Sequence, residues 1–395
     1  MTYNFDQFIE RRNTDSIKWT QYPNDVLPLW VADMDFLTPE PIRDALHKMI
    51  DRGVLGYEFL QKRTQQVVAN RMKRLYSWDV DPDWVVAVTG VVTGFSLAAR
   101  AVCQPGDGVI IHTPAYNMFY SIYERLGVVQ QSAPLKFTVD GNVIQPQLDL
   151  EAFMKAFNSN NAKTRIFLFC HPHNPLGRMF NREELQSMAE VCLQNDVIIV
   201  SDEIHSELLL NGTGHVPMAT LSPEIADKTI TLISSSKTFN IAGSFCAFAI
   251  IPNADLRESY SKANEQITGH VASFGLVASE TALSGVCDDW LQELRVYLRE
   301  NRDFVVDYLT ENFPETRFTV PSATYLQFID FSDYVNPGRM QGSPFEFFLE
   351  KAKVALSDGK IFGEGFENFA RLNFGSPRSM LAEALERMQA SIQTG

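Results

Sequence analysis

Between residues 84 and 252, short apolar, β-branched runs alternate with longer stretches whose apolar positions recur at helical spacing. Strands are predicted at 84–89 (WVVAVT), 108–113 (GVIIHT), 165–170 (RIFLFC), 196–202 (DVIIVSD), 229–235 (TITLISS) and 245–252 (FCAFAIIP). Helical patterns fall at 94–102, 116–127, 182–195 and 258–267. The strand runs are apolar at successive positions, as strands covered on both faces are. Alternation of this kind builds βαβ units and an α/β fold with a mostly parallel central sheet flanked by helices.

Near residue 285 the pattern changes. A long amphipathic helix, DDWLQELRVYLRENRDFVVDYLTENF, leads into RFTVPSATYLQFIDF, which alternates like an antiparallel strand. A second, α+β unit is expected there. The first fifty residues, with Pro23, Pro28, Pro39 and Pro41 around VADMDF, read as an extended arm. The segment 336–344 reads as a surface loop.

Composition narrows the classes of function. The 395 residues are about two to three typical domains. With 34 Lys+Arg against 48 Asp+Glu the formal charge is −14, which argues against a broad nucleic-acid or anionic-membrane surface, since phosphate binding needs clustered cations. Cys103, Cys170, Cys192, Cys246 and Cys287 are odd in number and have no paired zinc spacing, so reduced, buried thiols are expected. The N-terminus mixes acids and bases without the apolar core of a secretory signal, and no apolar run approaches the ~20 residues of a membrane span. A soluble, cytoplasmic protein is expected.

In an open parallel sheet, ligands gather beyond the carboxyl ends of the strands. The first predicted strand runs into Gly90-Val91-Val92-Thr93-Gly94 and a helix, whose free N–H groups can hold a phosphate. Another ends in Asp202-Glu203-Ile204-His205; a carboxylate there is costly unless a cation answers it, and a helix cap or buried ion pair is the plain alternative. Lys237 follows Ser234-Ser235-Ser236 directly after a buried strand, a placement suited to Schiff-base chemistry rather than to a solvated surface lysine. His171-Pro172-His173-Asn174-Pro175-Leu176-Gly177 marks a turn and also delivers Asn174 to the same rim. Together an acid, a lysine, an amide and a phosphate-type helix start match pyridoxal 5'-phosphate (PLP), whose ring nitrogen, aldehyde carbon, phenolic oxygen and phosphate each need one of them.

The spacing of Asn174-Pro175-x-Gly177, Ser201-Asp202-Glu203-Ile204-His205, Ser234-x-Ser236-Lys237 and Arg371-x-Asn373 resembles that of the fold-type I PLP enzymes of the aminotransferase class I/II family. Trp30-Val31-Ala32-Asp33-Met34-Asp35-Phe36, His112-Thr113-Pro114-Ala115-Tyr116 and the DEIH sequence resemble its MalY/PatB group of cystathionine β-lyases. The resemblance runs over nearly the whole chain. It implies a large PLP-binding domain at 51–284, interrupting a smaller domain formed by an N-terminal arm at 1–50 and a C-terminal part at 285–395.

It also implies roles. Lys237 would carry the cofactor and act as base, Asp202 would keep the ring nitrogen protonated, and Asn174 would donate to the phenolic oxygen. Tyr116 would stack on the ring beside His205. The Val91 and Val92 amides, with Ser234 and Ser236, would hold the phosphate, helped by Tyr57 from a neighbouring subunit in a homodimer. Arg371 would clamp the substrate carboxylate as a bidentate fork, near Ala32. Many family members have arginine eight residues after the lysine and tyrosine where His205 stands; this chain has Phe245 and His205, which favours the lyase group.

The implied reaction is elimination of a thiol from an S-substituted cysteine. A PLP-dependent aminotransferase is the alternative enzyme, and a regulatory or binding protein on the same fold the alternative outside catalysis. His47, His215 and His270 have no ligand spacing and read as surface or packing residues; Asp33 and Asp35 read as turn or helix caps. His171 and Thr93 have no assigned role.

Overall fold

The computed structural model describes residues 2–394. Its larger sheet has seven strands: β1 (Val85–Val88), β2 (Gly108–Thr113), β3 (Val129–Pro134), β6 (Thr164–Cys170), β7 (Ile198–Asp202), β8 (Thr229–Ile233) and β9 (Ala247–Ile250). They lie in the order β1-β9-β8-β7-β6-β2-β3. All neighbours are parallel except β9, which runs antiparallel to both β1 and β8. The predicted strands are all present: 108–113 is unchanged, 165–170 begins one residue earlier, and the other four lose one or two residues at one or both ends.

The apolar runs are continuous because each strand serves two cores. In β6, Ile166, Leu168 and Cys170 join a cluster with Val200, Ile230 and Phe95, whereas Phe167 and Phe169 face Ile199, Met188 and Phe180 on the other side. That is the two-residue alternation of a strand with apolar material on both faces. Each such side chain fully withdrawn from water contributes about 1.5–3 kcal/mol. Helix Val91–Val102 lies close over the sheet: a Cβ added to Gly94 would sit 2.9 Å from Leu232 Cδ2.

A second sheet of six strands contains β4 (Lys136–Asp140), β5 (Val143–Gln147), β10 (Arg317–Thr319), β11 (Leu326–Asp330), β12 (Ser357–Asp358) and β13 (Phe369–Asn373), in the order β12-β13-β11-β10-β5-β4. The stretch read as one alternating strand is thus two, β10 and β11, paired antiparallel across a turn containing Pro321. The 136–147 hairpin joins this sheet through β5, which runs parallel to β10.

The N-terminal fifty residues add no strand to either large sheet; Leu27–Pro28 pairs only with Val354–Ala355. They are nevertheless anchored. Phe5, Trp19, Leu29, Met34 and Phe36 share one core with Trp290 and Leu294 of the 25-residue helix Asp288–Asn312 and with Leu381 and Leu385 near the C-terminus. All five cysteines are buried and form no disulfide. Among the described residues no helix is long and apolar enough to cross a membrane.

Candidate active site

Parallel β6, β7 and β8 are in register at their carboxyl ends, where Cys170 lies opposite Asp202 and Asp202 opposite Leu232. This alignment delivers the turns after the three strands to one rim. A cavity of about 370 Å³ opens there, lined by Ala32, Val91, Val92, Tyr116, Asn174, Asp202, His205, Ser236, Lys237 and Arg371 among others. Ten of the twelve expected site residues therefore meet around one space, although they span positions 32 to 371.

Lys237 sits on the single turn Ser235–Thr238 that follows β8. Its Nζ donates to the Ala32 carbonyl at 2.6 Å. Burial lowers its pKa to about 8, against the opposing pull of Asp33; Arg371 adds to the lowering and Asp202 opposes it. Much of its amine is therefore neutral near pH 8, as a base or nucleophile requires.

Asp202 is buried at the end of β7, and its Oδ1 accepts from the Ile204 N–H at 3.1 Å. Burial pushes its carboxyl up to about 7, a shift only partly opposed by that hydrogen bond and by Lys237. A carboxylate so placed is strongly answered by a protonated ring nitrogen. Burial also keeps its neighbours neutral, raising Tyr116 to about 12 and lowering His205 to about 3. The Nδ1 of His205 has no partner among the described residues.

Arg371, in β13, is buried and makes no ion pair among the described residues. Its Nη1 donates to Asn174 Oδ1 at 2.8 Å, and its Nη2 to the Trp30 carbonyl and Ser357 Oγ, both at 3.0 Å. The guanidinium lies 5.0 Å over the Phe362 ring. A buried cation held by neutral dipoles alone is poorly compensated, and a carboxylate is the ligand that its planar fork fits.

At the opposite end Gly90 has φ +144°, a conformation open to glycine, and turns β1 into helix Val91–Val102. The first amides of that helix have no intrahelical acceptor, so the start of the helix is a seat for an anion. Ser236 lines the same region, but Ser234 does not. The Ser234 hydroxyl donates to the Cys246 carbonyl at 2.7 Å and accepts from the Ser236 N–H at 3.1 Å, so it is committed to backbone. Tyr57 is also absent from the lining; it is 99% exposed, alongside exposed Val54, Leu55 and Phe59.

Two features had weaker signals in the sequence. Ser357 is opposite Arg371 in the β12–β13 pair, a relation visible only from strand register. Asp33 and Asp35 are ion-paired rather than caps: Arg11 meets Asp33 at 2.9 Å and Asp35 at 2.7 Å, and fully buried Lys18 meets Asp35 at 2.7 Å. The strap they belong to is held along its length. Asn373 donates to the Val31 and Asp33 carbonyls, Tyr325 to Ala32, and Asn240 to Met34 and Phe36. Away from the cavity His215 bonds Glu203 at 2.7 Å and packs against His171, which gives both a structural place.

The residues present fit PLP: a lysine of lowered pKa, a buried acid, an amide, a face of Tyr116 and a helix start occur in one cavity, and Arg371 remains for a substrate. Comparison with known proteins agrees. Residues 24–388 match the model of the family described as aminotransferase class I and II. The chain is 37% identical over 395 residues to cystathionine beta-lyase PatB of Bacillus subtilis strain 168, covering 98% of this chain and 100% of that one. Cystalysin from Treponema denticola, whose crystal structure contains a pyridoxal 5'-phosphate cofactor, superposes with a TM-score of 0.92 at 34% identity over 100% of both chains. The PLP-bound C-S lyase from Staphylococcus hominis gives 0.91 at 29% identity, covering 99% and 98%. The chain belongs to the aminotransferase class I and II family.

Proposed function

We propose, from that family membership and this cavity, that the protein is a PLP-dependent carbon–sulfur β-lyase acting on S-substituted cysteines. The observation that carries the proposal is the convergence of Lys237, Asp202 and the unpaired Arg371 on one buried space. Whole-length similarity to a cystathionine β-lyase supports the choice of reaction.

The residues divide the work. Arg371, steadied by Asn174 and Ser357, binds the substrate α-carboxylate through its fork. That contact aims the α-carbon toward Lys237. PLP, when bound, supplies an electron sink for the α-carbon. Asp202 holds the proton on the ring nitrogen, and Asn174, through its amide N–H, donates to the phenolic oxygen. Tyr116 covers the ring face and helps exclude water. The Val91 and Val92 amides and Ser236 bind the phosphate.

Lys237 takes the α-proton. The C–S bond then breaks with its electron pair leaving on sulfur, and the thiolate gains a proton to depart as thiol. Water supplies the keto oxygen, so one S-substituted cysteine and one water give thiol, pyruvate and ammonia. A thiol has a pKa of about 8.5 in water, so its departure needs little assistance from an acid.

The exposed segment around Tyr57 supports a homodimer in which Tyr57 of each copy completes the other's phosphate site. In this proposal the chain divides into an arm at 1–50, a PLP domain at 51–284 and a C-terminal part at 285–395. Incubating the PLP-loaded protein with L-cystathionine and no keto acid should release pyruvate. Turnover only when a keto acid is added, without pyruvate release, would assign amino-group transfer instead.

A further inference from the structure

Three pieces of chain line the cavity along with Arg371. One is the start of helix Asn117–Leu126, with Asn117 and Met118; another is the 359–362 turn, with Ile361; the third is the strap at Trp30 and Val31. They are fastened to one another around Arg371. Tyr120 Oη donates to the Phe362 carbonyl at 2.8 Å, and the Ala115 N–H donates to the same oxygen at 2.9 Å. Phe362 lies beneath the guanidinium, and Ser357 Oγ donates to the Trp30 carbonyl at 2.6 Å. These pieces offer a substrate side chain Trp30, Val31, Met118 and Ile361, with one neutral amide at Asn117.

Among the described residues lining the cavity, Asp202, Lys237 and Arg371 are the sole Asp, Glu, Lys or Arg. Each already has a task in the proposed function. The other titratable lining groups are kept uncharged by burial: Tyr116 is raised, His205 lowered and the Cys170 thiol raised.

We infer that this site selects an uncharged leaving thiol, so that S-alkyl and S-aryl cysteines are better substrates than a thioether whose far end is itself an amino acid. The inference rests on the lyase reading of the site. L-Cystathionine ends in a second ammonium and carboxylate, and seating them against Met118, Ile361 and Trp30 strips water without returning an ion pair. An alkyl or aryl group gains by the same loss of water.

The test measures kcat/KM for pyruvate release by the PLP-loaded protein from S-benzyl-L-cysteine, S-ethyl-L-cysteine and L-cystathionine. S-Benzyl-L-cysteine should exceed L-cystathionine by about tenfold or more, the scale of one poorly solvated charge at a half-open mouth. Equal values, or a preference for cystathionine, would overturn the inference while leaving the lyase intact. Pyruvate from none of the three would overturn both. Ile361 is 38% exposed and tolerates a longer side chain. Ile361→Arg supplies a cation for the distal carboxylate and should narrow the ratio about tenfold, chiefly by raising the value for cystathionine. An unchanged ratio in a variant that still cleaves S-ethyl-L-cysteine would place the side-chain pocket elsewhere and refute the inference.

Discussion

At one end of the cavity Arg371 is buried and held by Asn174, Ser357 and the Trp30 carbonyl, all from the same chain. At the other end the anion seat consists of the Val91 and Val92 amides and Ser236, and Phe245 lies 69% exposed beside it, in a left-handed conformation at φ +46°. The first end has a cation and needs an anion. The second offers dipoles without an arginine or lysine of its own. A left-handed backbone costs a non-glycine residue roughly 1–2 kcal/mol. In the proposed homodimer this difference becomes a division of labour, with substrate recognition within one subunit and the phosphate end finished by a second copy.

Removing the cation should test the self-contained end most severely. Arg371→Ala is expected to lower kcat/KM for pyruvate release about 100-fold, mainly through KM, because charge-assisted hydrogen bonds contribute about 1.5–3 kcal/mol. Steady-state kinetics check this. A loss confined to kcat would mean that Arg371 does not hold the substrate carboxylate.

Between the two ends lies Lys237, whose proton sets the pH response. Its pKa is lowered to about 8 by burial, and the base must be neutral to accept the α-proton. Below about pH 8 the amine is protonated, so kcat should fall by about tenfold per pH unit, and above it kcat should level off. A profile of log kcat flat from pH 6 to 9 would show that proton abstraction by Lys237 does not limit turnover.

The smallest effect is expected at the end that the proposed homodimer would share. Tyr57→Phe removes one hydroxyl and should weaken PLP binding about fivefold to tenfold, or about 1–1.4 kcal/mol, the upper part of the range for an ordinary hydrogen bond. Cofactor absorbance during dialysis, followed at several protein concentrations, measures it. Retention identical to the wild type would leave the phosphate end complete without Tyr57.

Much of this site was legible before any coordinates because a parallel sheet turns sequence order into spatial order. Asn174, Asp202 and Lys237 follow three adjacent strands, so locating the strands located the residues. The lettering of a motif does not specify which way a hydroxyl points. Ser234 belongs to the same Ser-x-Ser-Lys pattern as Ser236, yet the antiparallel neighbour β9 leads back from Cys246, whose carbonyl captures the Ser234 hydroxyl. Ser357 was hidden for a related reason, since its place opposite Arg371 depends on register between strands far apart in sequence. The β4–β5 hairpin escaped notice because its strands are short and half polar, and β5 is stabilised by pairing with β10, about 170 residues further on.

The strap from Trp30 to Phe36 has a consequence for the order in which a newly made molecule becomes competent. Its carbonyls are claimed by Arg371 and Asn373, and Asp35 by Ser376, all about 340 residues further along the chain. Synthesis proceeds from the N-terminus, and the seven-stranded sheet can form while these residues are still inside the ribosome. The strap, though made earlier, has to wait for these later partners. A chain cut short before Arg371 would therefore lack the guanidinium proposed to grip the substrate carboxylate.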